Sequence, residues 1–256
     1  PEGERGASVE RLRASLHQRA LRDVAEQQSV ADFARKLQAS SPWATRIILG
    51  ALIVVYALQW RWDGTTGVVS VRMGALTGEG LLAGEPWRWL AAASLHAAWW
   101  HIALNGFALW ILGKRLEALL GPERMVLLFL ASCIGGSMLH EAFSTPGDLA
   151  VGASTGILGL LAAQGALALF RGDLFPDRVR KLLWREAWTN GLLILALSLL
   201  PFVGGLAHLG GALAGFAAVA TGLLTLGVAP GGLGGPLTRV ARPVGLQGAA
   251  WAAAAA

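Results

Sequence analysis

Cysteine is nearly missing from this chain: among 256 residues there is one, Cys133. A single thiol excludes an internal disulfide and any Cys/His cluster of zinc-ligand spacing. Histidines number only five, without carboxylate or thiolate company, so no metal is expected and no cofactor. Charge is the second scarcity. Only 14% of residues are charged, where a soluble domain of this length carries about a quarter. That excludes an ordinary water-soluble domain. What is there instead is apolar: 54% of the residues are hydrophobic and the mean hydropathy is +0.53. These residues gather in blocks long enough to cross a bilayer, for which about 20 residues per helix are needed. The chain reads as a polytopic membrane protein, with the lipid bilayer as its main partner.

The net charge of +5 suggests nucleic acid only until its placement is considered. Lysine and arginine number eight before or at the first apolar block, three after the second, five after the fourth and two after the sixth. The connections after blocks one, three and five hold three, none and none. This alternation is what the positive-inside rule requires of six spans with both termini cytoplasmic. Nucleic acid is therefore not an expected partner.

Residues 1–41 are polar and charged, so no cleavable signal peptide is expected there. They read as a largely helical cytoplasmic segment, with Val9, Leu12, Leu16, Leu21, Val24, Ala25 and Phe33 at loosely helical spacing. Ser29 and Asp32 are candidate breaks or caps. A solvated juxtamembrane helix is favoured over a membrane-surface or docking helix. Residues 42–229 form the membrane domain. Its spans run over about Trp43–Trp60, Trp99–Leu112, Met125–Phe143, Ala153–Phe170, Ala187–Val203 and Leu206–Val228. Residues 61–95 are too apolar for a linker and fit an element lying partly in the interface. Gly113-Lys114-Arg115 and Gly121-Pro122 punctuate the turn between spans two and three. Residues 171–186 read as a basic loop, and residues 230–256 as a Gly/Pro/Ala-rich cytoplasmic tail.

Chemistry concentrates in three places. GASTGILG (152–159) puts Ser154 among small residues at the start of span four, and AHLGGALAG (207–215) puts His208 at the start of span six. Both lie near the outer ends of their spans. Small residues let helix backbones approach closely in lipid, and Gly152 and Gly156 are expected to face Gly211 and Gly215. Close approach is what a serine–imidazole hydrogen bond demands. On these two segments alone, glycine-mediated packing explains as much as a dyad does. The third place is HAAWWHIALN (96–105). His101 and Asn105, four apart, share a helix face, and polar residues in spans usually face the bundle interior. An imidazole and an amide together can donate to a developing oxyanion, beside the serine's own N–H. His96, five residues before His101, is expected just ahead of the helix, bracing the connecting segment.

With these motifs in order, the chain resembles the rhomboid family of intramembrane serine proteases over about residues 42–229. The supporting residues are PWR (86–88), His96–Asn105, GKRLEALLG (113–121), GAST (152–155) and 207–215. The resemblance implies an all-α, six-transmembrane-helix bundle with a partly interfacial loop after the first helix. It implies Ser154 as nucleophile and His208 as general base. It also implies an oxyanion hole of His101, Asn105 and the Ser154 N–H, with Gly152 supporting it. Trp87 and Arg88 would belong to the interfacial loop, and Glu117 to structural bonding near the cytoplasmic end. Two positions depart from the family pattern: Thr155, where glycine is usual, and Leu158, where an aromatic ring commonly packs on the imidazole.

The reading is thus a Ser–His endopeptidase cutting transmembrane protein substrates, with a bacterial inner membrane as the implied location. A catalytically silent rhomboid-like protein that binds membrane helices is the alternative, and retention of all four polar residues argues against it. A transporter or proton channel would want an intramembrane acid beside its histidines and an inverted repeat, and neither shows in the spans.

Overall fold

The computed structural model describes residues 2–62, 67–78, 84–145, 147–197, 204–225 and 228. The tail expected over 230–256 and the end of the fifth span at 198–203 lie outside the described residues. The chain is mostly helical. Its helices are α1 (Glu2–Ala39), α2 (Trp43–Arg61), α3 (Gly67–Met73), α4 (Arg88–Ser94), α5 (Trp99–Leu120), α6 (Pro122–Phe143), α7 (Ser154–Phe170), α8 (Asp177–Leu197) and α9 (Gly205–Ala220). A short 3₁₀ turn, Gly172–Leu174, precedes α8. The structure departs from all-α in one detail. Two-residue strands, β1 (Leu76–Thr77) and β2 (Leu149–Ala150), pair antiparallel, Leu76 opposite Ala150 and Thr77 opposite Leu149. Among the described residues α2 and α6 are long and apolar enough to cross a bilayer, and α7 and α9 are shorter apolar helices.

α7 is the axis of the bundle. It is hydrophobic on every side and buried along nearly its whole length, as expected of a helix enclosed by others. α5, α6, α8 and α9 all pack on it. Where α9 meets α7 and α6, glycines bring backbone against backbone. A Cβ on Gly211 would land on the Thr155 carbonyl, and one on Gly215 on the Gly159 carbonyl. Opposite them, a Cβ on Gly136 would lie 2.5 Å from the Ala207 carbonyl oxygen, and one on Gly210 2.5 Å from that of Gly135. The partners are not those expected. Thr155 and Gly159 face Gly211 and Gly215, whereas Gly156 turns to Phe129 and Cys133 of α6 and Gly152 to His101 and Asn105. Neighbours on one helix face are three or four residues apart, and the facing pair is 155/159 rather than 152/156.

Three boundaries also move. Gly113-Lys114-Arg115 lies inside α5, which runs on to Leu120. Gly113 gives room to Thr45 instead of making a turn, since a Cβ there would meet the threonine side chain at 2.9 Å. The turn is Gly121 alone, at φ +88°, with Pro122 opening α6. The basic loop of 171–186 is half helix: α8 begins at Asp177. Val179, Leu183 and Ala187 recur there at helical spacing and turn inward, so charge on the other face hid an amphipathic start. α1 is continuous, because Ser29 Oγ bonds back to the Glu26 carbonyl at 2.7 Å and Asp32 pairs with Arg35.

α1 also divides the two readings of the N-terminal segment. Val9, Leu12, Leu16, Leu21 and Val24 are exposed, whereas Phe33 meets Phe175 edge to face with centroids 5.9 Å apart. Asp23 and Glu26 both pair with Arg178, and Glu26 accepts the Arg178 backbone N–H at 3.0 Å. At the same end of the bundle Glu117 accepts the N–H groups of Ala44 and Thr45 at 2.9 and 2.8 Å and the Thr45 hydroxyl at 2.6 Å. A carboxylate there satisfies amides that the first turn of α2 leaves unpaired and meets the positive end of its dipole.

Candidate active site

Ser154 opens α7, and His208 sits one turn into α9. The glycine seam brings the two helix starts together, and His208 Nε2 lies 2.8 Å from Ser154 Oγ. That is hydrogen-bond distance for a nucleophile and its base. At the first position of a helix, the serine also stands at the positive end of the α7 dipole, where negative charge is favoured.

The approach to Ser154 is held from the segment between α2 and α5. β1 pairs with β2, and Gly152 N–H donates to the Ala92 carbonyl at 2.9 Å. Gly152 adopts φ +127°, a region that L side chains rarely enter. It also faces two donors: a Cβ there would sit 2.9 Å from His101 Nε2 and 3.5 Å from Asn105 Nδ2. Both side chains thus point at a space beside the serine that only glycine leaves open. The Asn105 amide nitrogen is buried and makes no hydrogen bond. A buried donor left unpaired costs about 1–3 kcal/mol, and this one borders the space beside Gly152.

His96 precedes α5. Its ring meets the His101 ring edge to face at 5.0 Å. Its main chain is bracketed by Gln59 of α2: the His96 N–H donates to Gln59 Oε1 at 2.9 Å, and Gln59 Nε2 donates to the His96 carbonyl at 3.4 Å. Sequence reasoning missed Gln59, although a fully buried glutamine in an apolar span is itself a signal of a polar partner. Arg88 is buried and holds the loop, donating to the Val71 and Ala75 carbonyls at 2.7 and 3.1 Å and pairing with Glu85. Its guanidinium lies 4.6 Å from the centroid of the Trp87 ring, which is half exposed. Leu158 is buried in the core.

The carboxylates nearest this end of the bundle are engaged elsewhere. Glu141 accepts from Trp89 Nε1 at 2.6 Å. Asp148 accepts the N–H and hydroxyl of Thr145 at 2.8 and 2.9 Å, and these bonds hold its carboxyl below the usual range. Among the described residues no group of three or more metal-ligating side chains comes together. Chemically the arrangement offers a hydroxyl beside an imidazole, with converging donors on the other side. That suits acyl transfer through a tetrahedral intermediate.

Comparison with known proteins agrees in direction. The family model described as "Rhomboid domain" matches residues 83–225. The chain is 37% identical over 150 residues to "RHOMBOID-like protein 6, mitochondrial" of Arabidopsis thaliana, covering 57% of this chain and 47% of that one. It is 32% identical over 193 residues to "Rhomboid protease GluP" of Bacillus subtilis (strain 168), covering 73% and 36%. With "Rhomboid-like protease 1" of Toxoplasma gondii it shares 31% over 137 residues, covering 52% and 46%. The chain spans less than half the length of each of these relatives.

Proposed function

The chain belongs to the rhomboid family, and from that premise we propose that it is a serine endopeptidase cutting membrane proteins in or near their transmembrane segments. One observation carries the reading: the 2.8 Å approach of His208 Nε2 to Ser154 Oγ. In the proposed reaction His208 takes the hydroxyl proton as Oγ attacks the scissile carbonyl. The Ser154 N–H, His101 Nε2 and Asn105 Nδ2 donate to the oxyanion. Collapse of the tetrahedral intermediate transfers the proton from His208 to the leaving amine and forms the acyl-enzyme. Water, deprotonated by the same imidazole, then releases the acid and restores Ser154. Gly152 keeps the oxyanion position clear, His96 backs His101, and Trp87 and Arg88 hold the interfacial loop.

The protein is an integral membrane protein. Its proposed topology is six spans within 42–229 with both termini cytoplasmic, on the strength of the lysine and arginine distribution, and its proposed location is a bacterial inner membrane. The segments 1–41 and 230–256 are then cytoplasmic. A silent rhomboid-like helix binder is the second reading, favoured by Leu158 standing where the family commonly has an aromatic ring. Labelling with a fluorophosphonate in detergent decides between them. Wild type is expected to label covalently and Ser154→Ala not at all. Equal labelling and undiminished reporter cleavage in Ser154→Ala would sink the mechanism, and an unlabelled, inert wild type would favour the silent reading.

A further inference from the structure

One face of α8 lies apart from the candidate site. Lys181, Arg185, Trp188 and Leu192 follow one another at spacings of four, three and four, so they stand on a single helix face. All four are exposed, Trp188 by 61% and Leu192 by 48%. The opposite face, with Val179, Leu183, Ala187 and Ile194, packs on the core. The charges on this face differ from the other basic groups nearby. Arg178 pairs with Asp23 and Glu26, Arg180 with Asp177 and Arg115 with Glu186. Among the described residues Lys181 and Arg185 form no ion pair.

The order along the axis is informative. At 1.5 Å per residue the two cations stand about 10 and 5 Å before the Trp188 indole, and the aliphatic Leu192 begins about 6 Å beyond it. Cation, indole, then aliphatic chain is the order of a phospholipid from its headgroup inward: phosphate, glycerol level, acyl chain. An acidic protein surface would match the cations and leave the indole and leucine exposed to water. Arginine adds a planar fork suited to phosphate oxygens.

We propose that Lys181, Arg185 and Trp188 form a binding site for the headgroup of an anionic phospholipid at the end of α8 remote from the candidate site. Lys181 and Arg185 take the phosphate, Trp188 lies against the glycerol backbone and Leu192 meets the acyl chain. The site depends on the chain being embedded in a bilayer and not on its being a protease.

The test is native mass spectrometry of the full chain released from nanodiscs of mixed phosphatidylglycerol and phosphatidylcholine. Wild type should retain phosphatidylglycerol in preference. A basic residue near an anionic surface contributes about fivefold in affinity, so K181Q/R185Q should lose about 30-fold of that preference. R19Q/R22Q, on exposed positions of α1, lowers the net charge equally and should leave the preference intact. Thermal unfolding identifies any variant that fails to fold, and Trp188→Ala, expected to weaken retention alone, then stands in for the double variant. An unchanged preference in K181Q/R185Q, or an equal loss in R19Q/R22Q, would overturn the proposal. So would displacement of the lipid by millimolar inorganic phosphate.

Discussion

The two neighbours that α7 meets on its flanks, α9 and α8, are attached by opposite means. Against α9 the contact below the candidate site is backbone on backbone, with Gly211 and Gly215 laid over the carbonyls of Thr155 and Gly159, and side chains meet farther along at Phe170 and Phe216. Against α8 it is made by side chains. Ala187 and Trp184 cover Gly165, and Arg115 of α5 donates to Gln164 of α7 and Glu186 of α8 at 2.7 and 2.8 Å. Backbone contact leaves no rotamers to rearrange, and a displaced neighbour meets hard atoms at once. Side-chain contact yields. The first kind lies beneath the Ser154–His208 pair; the second holds a helix that supplies none of the candidate site residues. Positional accuracy is concentrated where the proposed chemistry needs it.

The sharpest contrasts involve the site itself. Asn105→Ala removes one oxyanion donor, an effect of about 100- to 1,000-fold in turnover, while thermal stability should hold or rise because an unpaired buried donor is gone. Full turnover in that variant would reassign Asn105 to packing. Gly211→Val attacks the seam without touching a proposed catalytic group. A displacement of about 1 Å costs about 100-fold in rate and overpacking about 1–3 kcal/mol, so reporter cleavage and unfolding temperature should fall together. Ala217→Val, on an exposed position of α9, is the control, and equal activity in the two would remove the seam from the account.

On the yielding side, Glu186→Gln should lower stability by about 1–2 kcal/mol, the worth of a charged hydrogen bond at a partly exposed site, with cleavage changed by no more than a few fold. A loss matching Gly211→Val would show that α8 is held as strictly as α9. Smaller still is Gly191→Ala. Nothing lies within 4 Å of a Cβ there, so the change should stabilise α8 by up to about 1 kcal/mol and leave turnover alone. The least effect concerns Asp148. Its carboxyl is held below the usual value by the Thr145 N–H and hydroxyl. A depressed folded-state value means that the loop bonds contribute above the ordinary carboxylate range and are lost as pH falls through the lower folded value. The protection of the amides of residues 144, 145 and 147–150, taken relative to their intrinsic exchange rate at each pH, should therefore fall only in strong acid. A fall in protection between pH 6 and 5 would mean that another group governs the loop.

Legibility in the sequence followed the same division. Ser154, His208, His101 and Asn105 stand out because polar atoms in apolar helices need partners, and small residues beside them advertise close approach. The apolar blocks located the cores of α2, α6 and α7 to within a few residues. The start of α8 did not show, since a hydropathy window averages Arg178, Arg180, Lys181 and Arg185 with the apolar face between them. The register across the seam was hidden too: glycines at 152, 156 and 159 look alike in sequence, and only the rotation of α7 decides which one faces α9. Gln59 and the β1–β2 pair were lost for a different reason. The amide of Gln59 is visible in the sequence, but its partner is the main chain of His96, distant in the chain. The bonds that join β1 to the segment before Ser154 are main-chain too, and such partners carry no residue-type signature.

Gln59 is a fragment of strand carried on a helix. Its carboxamide returns both a donor and an acceptor to the main chain of one residue, His96, as an adjoining strand would. The side chain works as a detached peptide group that lets a helix speak the hydrogen-bond language of a sheet. Glutamate there would have nothing to give the His96 carbonyl, lysine could accept nothing from its N–H, and asparagine stops one methylene short. α2 holds no residue of the candidate site, yet at this one position it supplies both main-chain partners of the residue that leads into α5.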